Sequence, residues 1–352
     1  MQKSIGLVVA LAMISTCGHA RGDGIILPSK VDRVNRGLAG QILDFTHNHG
    51  KDRRIWSPAL CQKRDMYVYL PPCYDPAKKY PFAIFLHGAG QDEQFFLNSL
   101  AKQFDQAIID GKIVPFIVAA PDGSHNGHPS FFRIATFFAN SDAGRYEDYL
   151  MDDVWNFMMK NFSIRPEREA HALIGASMGG AAAFTCAIKH KDRVKIAMGF
   201  MPALNLRWVD CYDRYDGPFD PECWGWREKV RPLEVIGRPK GILKIRFHNL
   251  FGSLIGHGPD AMTKLSQFNP IEVMVHQNLK PGELDLYVAY GGKDEFNIKA
   301  QVESFLFMAK ERGIEVGVDY DPNGRHDEAS ARRLFPAALR WVAPLIEPYR
   351  QP

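Results

Sequence analysis

The stretch HALIGASMGGAAAF, residues 171–184, holds Ser177 within the pattern Gly-x-Ser-x-Gly. The apolar run at 172–174 predicts a strand, and the alanine-rich segment at 178–189 predicts a helix. A serine between a strand and a helix can stand on a sharp turn as a nucleophile, and flanking glycines let such a turn stay tight. The alternative is a glycine bend that only brings helix and strand close together. Its position makes Ser177 the candidate nucleophile.

Predicted strands and helices alternate along most of the chain from residue 61. Strands are expected at 66–70, 82–86, 116–119, 172–174, 194–200, 284–290 and 315–320, and helices at 95–109, 146–161, 178–189, 299–312 and 330–346. This alternation predicts an α/β fold, with a mainly parallel sheet covered by helices on both faces.

A nucleophilic serine needs a base and a carboxylate that orients the base. In a sheet of this kind they follow the serine in the order acid, then histidine. Only His326, among the histidines after Ser177, follows the last predicted strand, and it lies in a polar turn. The strand at 284–290 leads into GGKDEF, which offers Asp294 as the preferred acid and Glu295 as the second choice. The alternative role for Asp294 is to cap the next helix.

Acyl transfer also requires N–H donors for the developing oxyanion. The backbone N–H of Met178, directly after the nucleophile, is one candidate. A second is the amide of Ala89, because the sequence FAIFLHGAG, residues 82–90, places a tight loop directly after a strand. The side chain of His87 in that loop is expected to make local hydrogen bonds without a catalytic role.

A long insertion at about 202–277 interrupts the alternation after the strand at 194–200. It holds three tryptophans, Trp208, Trp224 and Trp226, together with Cys211 and Cys223. Both ends of the insertion lie near the catalytic face, so we expect it to form a wall of the substrate pocket, with the tryptophans contributing and a Cys211–Cys223 disulfide stiffening it. The alternative is that the tryptophans form a small core of the insertion itself.

Composition and charge narrow the function further. A formal net charge of +3 from 43 basic and 40 acidic residues gives no sign of nucleic-acid binding. No zinc-binding pattern occurs, so neither a metal ion nor another cofactor is expected. Apart from Cys17, Cys211 and Cys223, the cysteines are expected to be free buried thiols: Cys61, Cys73 and Cys186.

The N-terminal segment is typical of a signal peptide at 1–20. Lys3 precedes an apolar run at 5–14 that is too short to span a membrane, and small residues follow it. We therefore expect export to the periplasm or the exterior, with no membrane span. Lipidation at Cys17 is a less favoured alternative, because Thr16 is a poor match to the residue that usually precedes a lipidated cysteine.

Five segments together resemble the esterase D family of α/β-hydrolases. They read RDMYVYLPPCYDPAKKYPFAIFLHGAG, GRYEDYLMDDVWNFMMKNF, REAHALIGASMGGAAA, GGKDEF and NGRHDE. This family resembles feruloyl and acetyl-xylan esterases, S-formylglutathione hydrolases, enterochelin esterases and mycolyltransferases. The resemblance implies Ser177 as nucleophile, Asp294 as acid, His326 as base, and Ala89 and Met178 as oxyanion donors.

These observations predict three parts of the chain: a signal peptide at 1–20, an N-terminal extension at 21–60, and an α/β-hydrolase domain at 61–352 that carries the insertion. The expected function is that of an exported serine esterase whose substrate is a small-molecule or polysaccharide ester, such as an acylated polysaccharide or a phenolic ester. One alternative is an acyltransferase that passes the acyl group to a sugar hydroxyl. Another is a carbohydrate-binding relic without catalysis, against which the intact serine, acid and histidine argue.

Overall fold

The computed structural model describes residues 28–130, 133–241 and 243–350. The predicted signal peptide at 1–20, with Cys17, lies outside the described residues.

A mixed eight-stranded sheet forms the centre of the molecule, in the order β1-β2-β4-β3-β5-β6-β7-β8. Its strands are β1 (Gln41–Phe45), β2 (Met66–Leu70), β3 (Phe82–Leu86), β4 (Ile117–Pro121), β5 (His171–Ala176), β6 (Ile196–Phe200), β7 (Asp285–Gly291) and β8 (Val316–Asp321). β2 pairs antiparallel with both β1 and β4, and the remaining pairs are parallel. Since β3 to β7 are almost entirely buried, they consist largely of apolar residues.

The first strand lies inside the segment 21–60 that sequence analysis set apart as an extension. β1 pairs along its whole length with β2, from Gln41 opposite Leu70 to Phe45 opposite Met66. Ile42 is buried in the main core. The boundary at residue 61 is therefore wrong, because the main sheet already begins at residue 41.

Eleven α-helices are described in these residue ranges: α1 (Lys30–Asn35), α2 (Gln94–Ser99), α3 (Ala101–Ile109), α4 (Tyr146–Asp148), α5 (Trp155–Asn161), α6 (Met178–Lys189), α7 (Phe247–Ile255), α8 (Ala261–Ser266), α9 (Pro270–His276), α10 (Ile298–Glu311) and α11 (Glu328–Ile346). The helix expected at 95–109 is divided at Leu100 into α2 and α3. The helix expected at 146–161 contains a π-helical stretch, Tyr149–Val154, between α4 and α5.

Helices cover both faces of the sheet, as two neighbouring residues of β6 show. The ring of Phe200 contacts that of Phe335 on α11, with centroids 5.9 Å apart. A side chain added at Gly199 would instead meet Phe184 of α6. Because successive residues of a strand point to opposite faces, α11 and α6 lie on opposite sides of the sheet.

The predicted insertion between β6 and β7 is folded. It contains two short hairpins, Trp208–Asp210 with Trp224–Trp226 and Val235–Gly237 with Ile245–Arg246, followed by α7, α8 and α9. A disulfide joins Cys211 to Cys223 in the first hairpin, as expected. Of the remaining described cysteines, Cys186 is buried as expected, whereas Cys61 and Cys73 are exposed.

No α-helix within the described parts of the chain is both long and apolar enough to cross a membrane.

Candidate active site

Ser177 stands on the turn between β5 and α6 with φ 52° and ψ −115°. Positive φ is strained for a residue with a side chain and is common at functional sites. The neighbouring glycines have a steric reason, since a Cβ at Gly175 would lie 2.1 Å from the Gly179 carbonyl oxygen. A Cβ at Gly179 would lie 2.1 Å from the carbonyl oxygen of Leu86 on β3. The turn can therefore form only with glycine at both positions.

His326 lies in the loop after β8 and reaches Ser177. Its Nε2 is 2.9 Å from the Ser177 Oγ, and its Nδ1 is 2.7 Å from the Oδ2 of Asp294. These contacts fix the tautomer: Nδ1–H donates to the carboxylate, and Nε2 accepts from the serine hydroxyl. The structure thus brings Ser177, His326 and Asp294 into one chain of hydrogen bonds.

Asp294 follows β7, and its side chain is fully buried. Its second oxygen, Oδ1, accepts a hydrogen bond of 2.8 Å from the N–H of Phe296. We call the loop after β7, which carries Asp294, the acid loop, and the loop after β8, which carries His326, the histidine loop. The two loops also touch through their backbones, because Lys293 N–H donates to the Gly324 carbonyl at 2.8 Å. A Cβ at Gly291 would lie 2.3 Å from that same carbonyl oxygen, so this contact needs glycine at 291.

Glu295, the second choice for the acid, has a different role. Its Oε2 accepts the backbone N–H of His326 at 3.0 Å, and its Oε1 pairs with Arg325. The carboxylate therefore holds the backbone of the histidine loop, and its charge contributes, after that of Asp294, to raising the pKa of His326.

Burial alone would lower the pKa of His326, but the charge and the hydrogen bond of Asp294 outweigh it. The net effect raises the pKa of His326 above its ordinary value. An imidazole with a raised pKa binds a proton more strongly. As the pH falls, it also becomes protonated at a higher pH and can then no longer accept a proton from the serine.

The loop after β3 lies against Ser177, since a side chain added at Gly88 would lie 3.5 Å from the Ser177 Cβ. Gly88 N–H donates to the side chain of Gln91 at 2.8 Å, and Gly90 N–H donates to the Ile134 carbonyl at 2.6 Å. These bonds hold the loop on either side of Ala89.

Ala89 and Met178 both line the cavity that contains Ser177 and His326. Neither backbone N–H has a hydrogen-bond partner within the described ranges. Both donors are therefore available to an oxygen near Ser177, and the Met178 N–H also lies at the positive end of α6.

His87 is buried beneath this loop. Its Nδ1 donates to the Gly88 carbonyl at 2.9 Å, and its Nε2 accepts the Gly123 N–H at 2.8 Å. Burial lowers the pKa of His87, which keeps the ring neutral as this pair of bonds requires. The backbone thus occupies both ring nitrogens: the bond to Gly88 lies within the loop, as expected, whereas Gly123 belongs to the segment after β4.

The cavity beside Ser177 measures about 360 Å³ and is mainly apolar. The insertion forms much of its wall, as expected, through Tyr215, Arg227, Ile236, Phe247, Leu250 and Phe251. Sequence reasoning named none of these residues. The phenylalanine spacing at 247 and 251, one helical turn, is the only signal that could have found a pair of them.

A buried arginine belongs to this wall. Arg227 is 2% exposed and pairs with the Glu234 carboxylate. Its guanidinium lies 5.0 Å from the ring centroid of Phe247 and 5.9 Å from that of Tyr215. Two aromatic rings and one carboxylate thus fix the arginine within the insertion.

The tryptophans are elsewhere, so their predicted place in the pocket wall is wrong. None of the three lines the cavity. Trp208 is fully buried and donates its indole N–H to the Tyr215 carbonyl at 3.0 Å, while the Trp224 and Trp226 rings pack edge to face at 5.2 Å. They form a small core of the disulfide-linked hairpin, which was the alternative interpretation.

The parts of the chain that the structure describes contain no group of three or more His, Cys, Asp or Glu side chains arranged to hold a metal ion.

The sheet order, the turn at Ser177 and the loops after β7 and β8 define an α/β-hydrolase fold. Residues 57–342 match the family model described as putative esterase, and the chain belongs to that family.

Two curated relatives are named as ester hydrolases. The chain is 32% identical over 164 residues to an endo-1,4-beta-xylanase/feruloyl esterase of Xylanibacter ruminicola, a match that covers 45% of this chain and 21% of that protein. It is 29% identical over 157 residues to an S-formylglutathione hydrolase of Rattus norvegicus, which covers 41% of this chain and 53% of that one. The chain thus spans about a fifth and about half of the length of these two relatives.

Solved structures share the fold over most of the chain. A ferulic acid esterase superposes with a TM-score of 0.59 at 16% identity, covering 88% of this chain and 99% of the other. An S-formylglutathione hydrolase from Agrobacterium tumefaciens gives a TM-score of 0.61 at 16% identity, covering 87% and 96%.

Proposed function

We propose that the protein is a serine carboxylic ester hydrolase in which Ser177 is the nucleophile, His326 the general base and Asp294 the residue that orients the base. The proposal is carried by the continuous chain from the Ser177 hydroxyl through both nitrogens of His326 to a buried carboxylate. A neutral imidazole in this tautomer can take the serine proton without any rearrangement of the ring.

In the first half of the reaction, the Ser177 Oγ attacks the ester carbonyl carbon while its proton passes to the His326 Nε2. The carbonyl oxygen becomes an oxyanion, which accepts hydrogen bonds from the N–H groups of Ala89 and Met178. When the tetrahedral intermediate collapses, the bond to the alcohol oxygen breaks, and His326 returns the proton to the leaving alcohol. The product is an acyl ester of Ser177.

In the second half, His326 removes a proton from water, which attacks the acyl-enzyme carbonyl. Collapse of this intermediate releases the carboxylic acid and restores the Ser177 hydroxyl with the proton from His326. Asp294 stays ionised throughout and stabilises the imidazolium that forms in each half.

We further propose that the substrates are esters on acylated polysaccharides or phenolic esters, and that the protein acts after export. An apolar cavity with several phenylalanine rings suits an acyl group with an aromatic or extended apolar part. The name of the Xylanibacter relative includes feruloyl esterase. The Cys211–Cys223 disulfide is consistent with an oxidising compartment.

Replacement of Ser177 by alanine tests the proposed chemistry. The variant removes only the hydroxyl and should lower turnover of p-nitrophenyl acetate by up to about a millionfold. His276, a downstream histidine exposed at the end of α9, provides a matched pair: His326→Asn should abolish activity and His276→Asn should leave it unchanged. Full turnover by the Ser177→Ala variant would reject the proposal.

Specificity is tested with the unmodified protein on a panel of acetyl, butyryl, feruloyl and long-chain esters. Feruloyl and acetyl sugar esters should give higher kcat/KM than plain alkyl esters of the same acids. Equal values would reject the substrate class while leaving the serine chemistry untouched.

A further inference from the structure

A tyrosine of the insertion reaches the residue between the proposed acid and the helix that follows. The Tyr215 hydroxyl donates a hydrogen bond of 2.6 Å to the carbonyl of Phe296. The same hydroxyl accepts a hydrogen bond of 3.0 Å from the Nε2 of Gln301 on α10. Donor and acceptor capacity of the hydroxyl are thus both used by the acid loop and its helix.

Phe296 in turn contacts both partners of the serine. Its N–H donates to the Oδ1 of Asp294 at 2.8 Å, which leaves Oδ2 for the Nδ1 of His326. Its ring lies against the imidazole, with centroids 4.6 Å apart. The position of the Phe296 backbone therefore determines how the carboxylate is presented to His326.

The segment around Tyr215 is itself held in place. The Asn297 side chain donates to the carbonyls of Tyr215 at 2.6 Å and Gly217 at 2.9 Å. The disulfide between Cys211 and Cys223 closes the loop that contains Tyr215, and the buried Trp208 also bonds to the Tyr215 carbonyl. Few other positions are open to the hydroxyl.

We infer that Tyr215 is a positioning residue for catalysis. It acts through Phe296 to hold the Asp294 carboxylate at hydrogen-bond distance from the Nδ1 of His326. The inference rests on the proposed roles of Asp294 and His326 and extends them to the insertion. It makes the insertion part of the catalytic framework in addition to a wall of the substrate cavity. Burial and the nearby Asp294 carboxylate raise the pKa of Tyr215, so the hydroxyl remains a donor across the working pH range.

The test is Tyr215→Phe, which removes the hydroxyl and keeps the ring against Arg227. Tyr212→Phe is the matched control, because Tyr212 lies in the same disulfide-closed loop and is 72% exposed. With p-nitrophenyl acetate, Tyr215→Phe should lower kcat by about three- to tenfold, the effect of one lost hydrogen bond on positioning, with little change in KM. Tyr212→Phe should behave as the unmodified protein.

The pH profile supplies a second readout. Because Asp294 raises the pKa of His326, a less well held carboxylate raises it less. The acid limb of kcat/KM should therefore move to lower pH in Tyr215→Phe and stay in place in Tyr212→Phe. A general loss of folded protein would lower the rate without moving this limb, and the melting temperature of each variant separates the two effects.

Three results would overturn the inference. The first is an increase in KM of Tyr215→Phe at constant kcat, because it indicates direct contact with substrate. The second is an unchanged kcat, and the third is a lower kcat with no shift in the acid limb of the pH profile. Activity of the Ser177→Ala variant distinguishes failure of the proposed function from failure of this inference. If Ser177→Ala is inactive and Tyr215→Phe is normal, only the role of Tyr215 is rejected.

Discussion

The loops at the carboxyl edge of the sheet and the insertion between β6 and β7 meet at one cavity but differ in how their sequences relate to their roles. Each loop carries its polar residue within a few positions of the end of a strand: Ser177 after β5, Asp294 after β7 and His326 after β8. Parallel strands bring these ends to one edge, so chain position alone indicates proximity. In the insertion, the packing of hairpins against helices determines which residues line the cavity. Residue type therefore did not predict which of them would do so.

The largest change in kcat is expected at Asp294, and the neighbouring carboxylate Glu295 provides the comparison. Asp294→Asn keeps the shape of the side chain but disfavours the required tautomer of His326, and we expect kcat to fall by about four orders of magnitude. Glu295→Gln weakens the contacts to the histidine loop backbone and Arg325 and removes a minor charge effect on His326, and it should lower kcat by less than about tenfold. Steady-state rates on one ester decide this, and equal losses in both variants would show that the two acids share the role.

Substitutions at two residues of the insertion distinguish its cavity wall from its hairpin core. Leu250→Trp adds bulk to a half-buried wall position and should lower kcat/KM for feruloyl esters by about 10- to 100-fold relative to acetyl esters. Trp224→Ala removes a ring of the hairpin core and should lower the melting temperature without changing acyl preference. A change in acyl preference in Trp224→Ala would instead support a place for this tryptophan in the pocket wall.

The smallest effect is expected from the disulfide. Replacing Cys211 and Cys223 together by serine frees the loop around Tyr215, while the backbone pairing of the hairpin remains. We expect kcat to fall by about two- to fivefold with KM nearly constant, because less than one full hydrogen bond is lost on average. Exposed Cys61→Ser serves as the control, and an unaltered kcat in the double variant would separate the disulfide from catalysis.

Much of the fold could be predicted because buried parallel strands are short apolar runs bounded by turns. The runs in β3, β5 and β6 are of this kind, and the glycines at 175 and 179 are required by contacts that the motif implies. β1 was missed because Gln41–Phe45 is half exposed and contains Asp44, so its sequence is not a continuous apolar run. Its pairing with β2 is a tertiary property.

The residues at the cavity wall could not be predicted for a similar reason. Tyr215 and Arg227 lie in irregular segments, and nothing in their local sequence separates them from Tyr212 or Arg231. Trp208 was assigned to the wall because large aromatic rings often line binding sites, but the same rings also supply the most apolar area to a small core. Which of the two occurs depends on how the hairpin folds against α10.

The pairing of β6 with β7 also has a consequence for how the chain folds. Residues 196–200 lie beside 285–289, and the entire insertion separates them along the sequence. Contacts between such distant segments carry a large loop-closure entropy and form slowly, whereas β5, α6 and β6 are close in sequence. During refolding from denaturant, helical signal should therefore return before esterase activity, because Ser177 can be in place while Asp294 and His326 wait for β7 and β8 to join the sheet.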